Sequence, residues 1–92
     1  MRIDPRLMCR FAYKCMHPAY RRRIRVILKS HNYAALQDPY VVGCMIDSLC
    51  ACCGDTITPA QRAAAIRFVM AQKCNPLLAS HRARMRGIVF GF

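Results

Sequence analysis

The amino-acid sequence predicts an all-α fold, a single small domain of about five short helices around a central helical hairpin. Two observations carry this prediction. All five prolines directly follow a residue that can cap a helix, and the apolar residues between them recur at helical rather than alternating spacing. A length of 92 residues suits one domain, residues 1–92, with a modest core. A hydrophobic fraction of 55% argues against disorder despite the net charge of +11.

The central hairpin is the segment from Asp38 to Cys74. Asp38-Pro39 supplies a cap and a first helical residue, and seven apolar residues then form one stripe: Val41, Val42, Met45, Ile46, Leu49, Cys52 and Cys53. Gly54 stands where a left-handed residue ends a helix, and Thr58-Pro59-Ala60-Gln61 has the pattern of a capping box. The second helix is apolar on almost every side. We therefore expect Leu49, Phe68, Val69 and Met70 to be buried.

The cap–proline pairs also set the helix boundaries, because each pair disfavours helix before the proline and favours a helix start at it. The pairs are Asp4-Pro5, His17-Pro18, Asp38-Pro39, Thr58-Pro59 and Asn75-Pro76. The predicted helices cover residues 5–16, 18–30, 39–53, 59–74 and 76–86. The last six residues, 87–92, leave the helical pattern and predict a short extended tail.

No targeting or membrane segment is expected. The N-terminal residues lack a continuous apolar run and include Asp4 and Pro5, unlike a signal peptide. The longest stretch without Lys or Arg, residues 30–61, is interrupted by Asp38, Asp47 and Asp55, so it does not resemble a membrane span. These features predict a cytoplasmic protein with no membrane partner.

Positive charge is concentrated towards the two ends of the chain. Nine of the fifteen basic residues lie at or before Lys29 and six lie from Arg62 onward, whereas the chain has four Asp and no Glu. The second predicted helix places Arg21, Arg22, Arg25 and Lys29 on one outer arc, opposite Tyr20, Ile24, Ile27 and Leu28. Such cations repel one another, and the few carboxylates cannot neutralise them, so a negatively charged partner is expected. The excess of arginine over lysine favours bidentate contact with phosphate or carboxylate.

Nucleic-acid phosphate is the partner that this charge pattern favours, with an acidic protein or a membrane surface as alternatives. The candidate binding residues are Arg6, Arg10, Lys14, Arg21, Arg22, Arg23, Arg25, Lys29, Arg82, Arg84 and Arg86. Arg6, Arg10 and Lys14 stand at i, i+4 and i+8 and form one exposed ridge of the first helix, for which a solvated face is the competing interpretation. The second hairpin helix offers few side chains that could read bases, chiefly Gln61, Arg62 and Arg67. Contact with the nucleic-acid backbone is therefore expected rather than base recognition.

The seven cysteines favour reduced thiols, because the number is odd, no export signal is present and several lie on helical core positions. Cys50-Ala51-Cys52-Cys53-Gly54 has the spacing of a zinc knuckle, and Cys50, Cys53 and Cys74 are the candidate zinc ligands. No second C-x-x-C follows, so we expect no metal and no cofactor. Without Glu, and without a Ser-His or Cys-His spacing, we also expect no catalytic residues and no enzymatic activity.

Two basic segments flanking an apolar core, Arg21-Arg22-Arg23-Ile24-Arg25 and Arg82-Ala83-Arg84-Met85-Arg86, give the whole chain a family resemblance. It resembles the small phage-encoded anti-CRISPR proteins, in particular inhibitors of the type I-F surveillance complex. Several of those inhibitors are acidic DNA mimics, a pattern from which this basic chain departs. The resemblance implies docking on the Cas backbone subunits, contact with crRNA phosphates and a block to target DNA hybridisation, in the host cytoplasm. The alternative is a free-standing DNA- or RNA-binding regulator, with or without a structural zinc site.

Overall fold

The first four cap–proline pairs begin the first four helices of the computed structural model, which describes residues 4–90 except for the side chain of Phe90. The helices are α1 (Pro5–Met16), α2 (Pro18–Lys29), α3 (Pro39–Cys53), α4 (Pro59–Ala71) and α5 (Ala79–Phe90), with a 3-10 turn, η1, at Ala35–Gln37. The all-α prediction and the central hairpin, now α3 and α4, are confirmed. In the part of the chain that is described, no helix is both long and apolar enough to cross a membrane.

The predicted caps are formed by side-chain acceptors. Asp4 and Asp38 each accept a hydrogen bond from the backbone N–H two residues later, both at 2.9 Å. His17 makes the same contact through Nδ1 at 3.3 Å, so even this poor capping residue begins a helix. Thr58 and Gln61 form the reciprocal capping box. Each of these contacts pairs an N–H that has no partner inside its own helix.

The connection between α4 and α5 differs from the prediction. α4 ends at Ala71 rather than at residue 74, and Lys73 adopts a left-handed conformation with φ 47°. Asn75 does accept a hydrogen bond from the N–H of Leu77 at 3.0 Å, but this contact closes a turn and α5 begins only at Ala79. The local cap signal is present, yet it produces a loop.

The expected extended tail is wrong for residues 87–90, because α5 continues through Phe90. Ile88 and Val89 are half-buried, and Val89 packs against the core. This packing favours helix over the extended conformation that the β-branched side chains prefer by themselves. Residues 91–92, also part of the expected tail, lie outside the described residues.

The core lies where α3 meets its neighbours. Its fully buried residues are Met8, Leu36, Val42, Met45, Ile46 and Ala65. α4 and α2 pack on α3, α1 packs on α2, and α5 packs chiefly on α1. Leu36 comes from η1, which the sequence did not predict. The packed body measures 29 × 27 × 23 Å.

Four residues expected to be buried, Leu49, Phe68, Val69 and Met70, are only half-buried. All four pack against the core from its edge. Leu49, Phe68 and Val69 also line a large open cavity, because α5 packs on α1 and leaves this side of the hairpin uncovered. The apolar stripe of α3 was therefore predicted correctly, but the burial of its residues was overestimated.

Candidate nucleic-acid interface

The outer side of α2 is a strongly positive surface. Ile24 is 3% exposed and anchors this helix, and Tyr20, Ile27 and Leu28 beside it are half-buried. The opposite side carries four exposed cations, Arg21, Arg22, Arg25 and Lys29, which we call the basic arc. Arg23 is exposed at the flank of this arc, and Val26, 66% exposed, lies within the same outer face. The helical spacing of the sequence thus places these side chains where a partner can reach them.

All four aspartates are engaged elsewhere. Asp38 caps α3, and Asp4 both caps α1 and accepts a hydrogen bond from Gln61 at 3.2 Å. Asp47 accepts two hydrogen bonds from the guanidinium of Arg62, at 2.9 and 3.0 Å, and these bonds hold the pKa of Asp47 below its usual value. Oδ1 of Asp55 lies 3.6 Å from Nε of Arg10 and forms an ion pair with it.

As a consequence, no carboxylate within residues 4–90 forms an ion pair with the basic arc. The repulsion among its side chains is relieved only by solvent, salt or a bound anion. The exposed cations of the basic arc can therefore bind phosphate groups.

The predicted ridge of α1 divides into three different environments. Arg6 is exposed, whereas Arg10 is paired with Asp55. Lys14 is half-buried: its ammonium donates a hydrogen bond to the carbonyl of Cys53 and lies 4.8 Å from the centroid of the Tyr20 ring. The expectation of a uniformly exposed ridge is wrong, because the end of α3 comes close enough to capture Lys14.

The basic residues of α5 are mostly structural as well. Arg82 donates to the carbonyl of Pro76 at 3.0 Å, and Arg84 donates to that of Gln72 at 2.7 Å. Both bonds fix the loop between α4 and α5 and satisfy carbonyls that no helix pairs. Arg84 and Arg86 are exposed, and partner binding by Arg82, Arg84 and Arg86 stays a prediction.

The structure does not bring the candidate zinc ligands together. Among residues 4–90, no three His, Cys, Asp or Glu side chains are close enough to hold a metal ion. Within residues 4–90, which include all seven cysteines, no disulfide bond is formed. Burial raises the pKa of Cys50 and Cys74 and raises that of Cys53 to about 11, which opposes the thiolate form that a metal needs.

The three histidines are held by backbone groups. His17 and His81 each accept a hydrogen bond from a backbone N–H through Nδ1, and the Nδ1–H of His31 donates to the carbonyl of Ile27 at 2.8 Å. Through these contacts, each histidine has a local structural role.

A cavity of about 880 Å³ opens beside the basic arc and was not predicted from the sequence. Side chains of all five helices line it, and Arg21, Arg25, Lys29, Arg82 and Arg86 are its cations. The one sequence signal for it was the apolar character of α4 on almost every side, which indicated a further neighbour for that helix. Helical periodicity identifies the apolar sides of a helix, but it does not reveal whether another helix covers each side or leaves it open.

Comparisons of the chain with known protein families, with curated proteins and with solved structures find no significant match.

Proposed function

We propose that this protein is a non-catalytic binding protein whose basic arc contacts nucleic-acid phosphates. The observation that carries the proposal is that the four cations of the arc are exposed and have no carboxylate partner within residues 4–90, although the chain contains four aspartates. Phosphates would relieve the repulsion and release counterions, which is the main driving force of such binding.

The contacts fit the nucleic-acid backbone better than the bases. Gln61 and Arg62, which could have read bases from α4, are both committed within the protein. Gln61 bonds to the N–H of Thr58 and to Asp4, and Arg62 bonds to Asp47. The arc itself places four cations on one face of a helix, an arrangement suited to a strand of phosphates.

The specific form that we propose is an inhibitor of a nucleoprotein complex, similar to the anti-CRISPR proteins that act on the type I-F surveillance complex. In this form the folded body docks on Cas subunits in the host cytoplasm, the basic arc covers crRNA phosphates, and target DNA cannot hybridise. What supports it is the basic arc together with the family resemblance of the two arginine segments. A stoichiometric inhibitor needs a rigid shape and a cationic surface but no chemistry.

The first experiment measures binding of the protein to an immobilised, crRNA-loaded type I-F complex, beside naked crRNA and naked duplex DNA. We expect binding to the complex, inhibition of target hybridisation, and an affinity that falls with salt with a log–log slope of about −3, as expected for four phosphate contacts. Binding to naked nucleic acid alone would assign the protein to free-standing DNA- or RNA-binding regulators. Binding to none of these probes would overturn the proposal.

Substitutions then test the basic arc itself. The double substitution Arg22→Glu, Arg25→Glu should abolish binding, and Arg22→Gln alone should reduce the salt slope by about one unit. Lys73→Gln removes one exposed positive charge outside the arc and is the matched control for Arg22→Gln. Equal effects of the two single substitutions would show that net charge, and not the arc, governs binding.

A further inference from the structure

We propose that the cavity beside α2 binds a single-chain anionic amphiphile, an alkyl chain that ends in a carboxylate or a phosphate monoester. The ligand would be a free monomer whose chain enters the cavity and whose head remains at the mouth. The mouth of this site shares Arg21, Arg25 and Lys29 with the basic arc, whereas Arg22 lies outside the cavity lining. The inference goes beyond the proposed function because the apolar interior of the cavity takes no part in phosphate binding.

The size of the cavity is the first step of the argument. The cavity is open to solvent and has a volume of about 880 Å³, which is substantial for a chain of 92 residues. It falls within the range of roughly 300–1,000 Å³ that is usual for pockets that bind small molecules.

The burial of the lining residues distinguishes the inner end of the cavity from its mouth. At its inner end are Met8, Leu36 and Met45, which are 3–4% exposed. The walls are the half-buried Leu49, Phe68 and Val69. Because these walls are apolar from the inner end outward, a flexible hydrocarbon chain is the occupant that gains most by leaving water.

The mouth selects the sign of the ligand's charge. Arg21, Arg25 and Lys29 stand at i, i+4 and i+8 along α2, all three exposed, and Arg86 is exposed on the α5 side. The half-buried Arg82 is the fifth cation of the lining and donates to the carbonyl of Pro76.

Among the described residues, Asp55 is the only one that contributes a carboxylate to the lining, and its Oδ1 lies 3.6 Å from Nε of Arg10. The mouth is thus strongly positive, and a carboxylate or phosphate head would accept hydrogen bonds from more than one guanidinium. A second copy of this chain, with a net charge of +11, would be repelled from the same mouth.

The test uses saturated carboxylates of eight to sixteen carbons, each below its critical micelle concentration, with calorimetry and carboxyl ¹³C NMR on the intact chain. We expect one ligand per protein and a dissociation constant that falls about fourfold per added methylene until the chain fills the cavity. An alkyl phosphate of equal length should bind comparably. The equally long alcohol and alkyltrimethylammonium ion should bind at least tenfold more weakly.

Variants separate the cavity from its mouth. Leu49→Phe fills part of the cavity, so it should weaken the binding of carboxylates of every chain length at least tenfold. Val69→Phe is the second filling variant if the first does not fold. Arg25→Gln should weaken the carboxylate but not the alcohol, whereas Arg23→Gln on the same helix, outside the lining, should change neither. Since Leu49→Phe leaves the basic arc intact, binding to the nucleoprotein complex should survive in it.

Three results would overturn the inference. The first is equal binding of the carboxylate, the alcohol and the cationic amphiphile. The second is carboxylate binding that neither filling variant changes. The third is binding to vesicles of anionic phospholipid in the absence of any monomer binding, which would assign the mouth to a membrane surface.

Discussion

At the scale of single residues, the position of a cation relative to helix ends decides whether it supports the fold or faces a partner. Lys14 and Arg84 donate to carbonyls of Cys53 and Gln72, at or just beyond the last residue of α3 and α4. Carbonyls at helix C-termini lack intrahelical donors and carry partial negative charge, so they attract cations. Lys29 is chemically the same residue as Lys14 but is exposed on the basic arc. Sequence alone could not separate the two, because the contact of Lys14 spans 39 positions.

This difference predicts opposite effects for two identical substitutions. Lys14→Met keeps the apolar stem but loses the hydrogen bond to Cys53 and the contact with Tyr20, so it should cost about 1–2 kcal/mol of unfolding free energy. Lys29→Met should cost no more than about 0.5 kcal/mol, as usual at exposed positions. Urea denaturation measures both values, and the binding assay should show the reverse order. Equal stability of the two variants would mean that the Lys14 contact contributes nothing.

At the scale of elements, helix starts were predicted more accurately than helix ends. A start depends on a capping residue and the proline directly after it, and the starts of α1 to α4 agree with the prediction to the residue. The region from Ala71 to Ala79 depends on distant contacts, including the bond from Arg84 to Gln72, and was predicted incorrectly. The C-terminal end of α5 was missed for the same reason, since Val89 is held in the helix by the core.

Two glycines provide a test of these assignments. Gly54 has φ +70° and ends α3, whereas Gly87 lies inside α5; a Cβ would meet no atom within 4 Å at either position. Gly54→Ala should therefore cost about 1 kcal/mol from backbone strain alone, and Gly87→Ala should gain about 0.5–1 kcal/mol from helix propensity. Thermal unfolding of both variants measures the sign. A destabilising Gly87→Ala would contradict the helical assignment of residues 87–90.

At the scale of the whole molecule, positive charge and packing are both distributed unevenly. The distribution of charge is easier to predict from the sequence than the packing of the helices. The basic arc could be predicted because helical periodicity alone places its residues on one side of α2. The cavity could not, because it arises from the placement of α5 against α1. In this chain of net charge +11, α2 carries the four cations of the basic arc, none of which is paired with a carboxylate of residues 4–90. A surface arranged for an anionic partner should therefore cost the free protein stability.

The cost centres on Arg25, which has Arg21 and Lys29 four residues away and Arg22 three residues away. Like charges at these spacings destabilise a helix by about 0.2–0.5 kcal/mol per pair, and opposite charges stabilise it by a similar amount. Arg25→Glu reverses all three pairs, so it should stabilise the free protein by about 1–3 kcal/mol at low salt. The melting temperature should rise by roughly 4–8 °C per kcal/mol.

The control for this prediction is Arg23→Glu. It changes the net charge equally, but no charged residue lies three or four positions from Arg23. Its melting temperature should remain close to that of the unsubstituted chain, and only Arg25→Glu should lose the increase in stability that added salt gives the original protein. If the two variants melt together, the repulsion is spread over the whole molecule and is not a property of the basic arc. If Arg25→Glu is more stable but no longer binds the nucleoprotein complex, the same side chains that destabilise α2 are those that the partner requires.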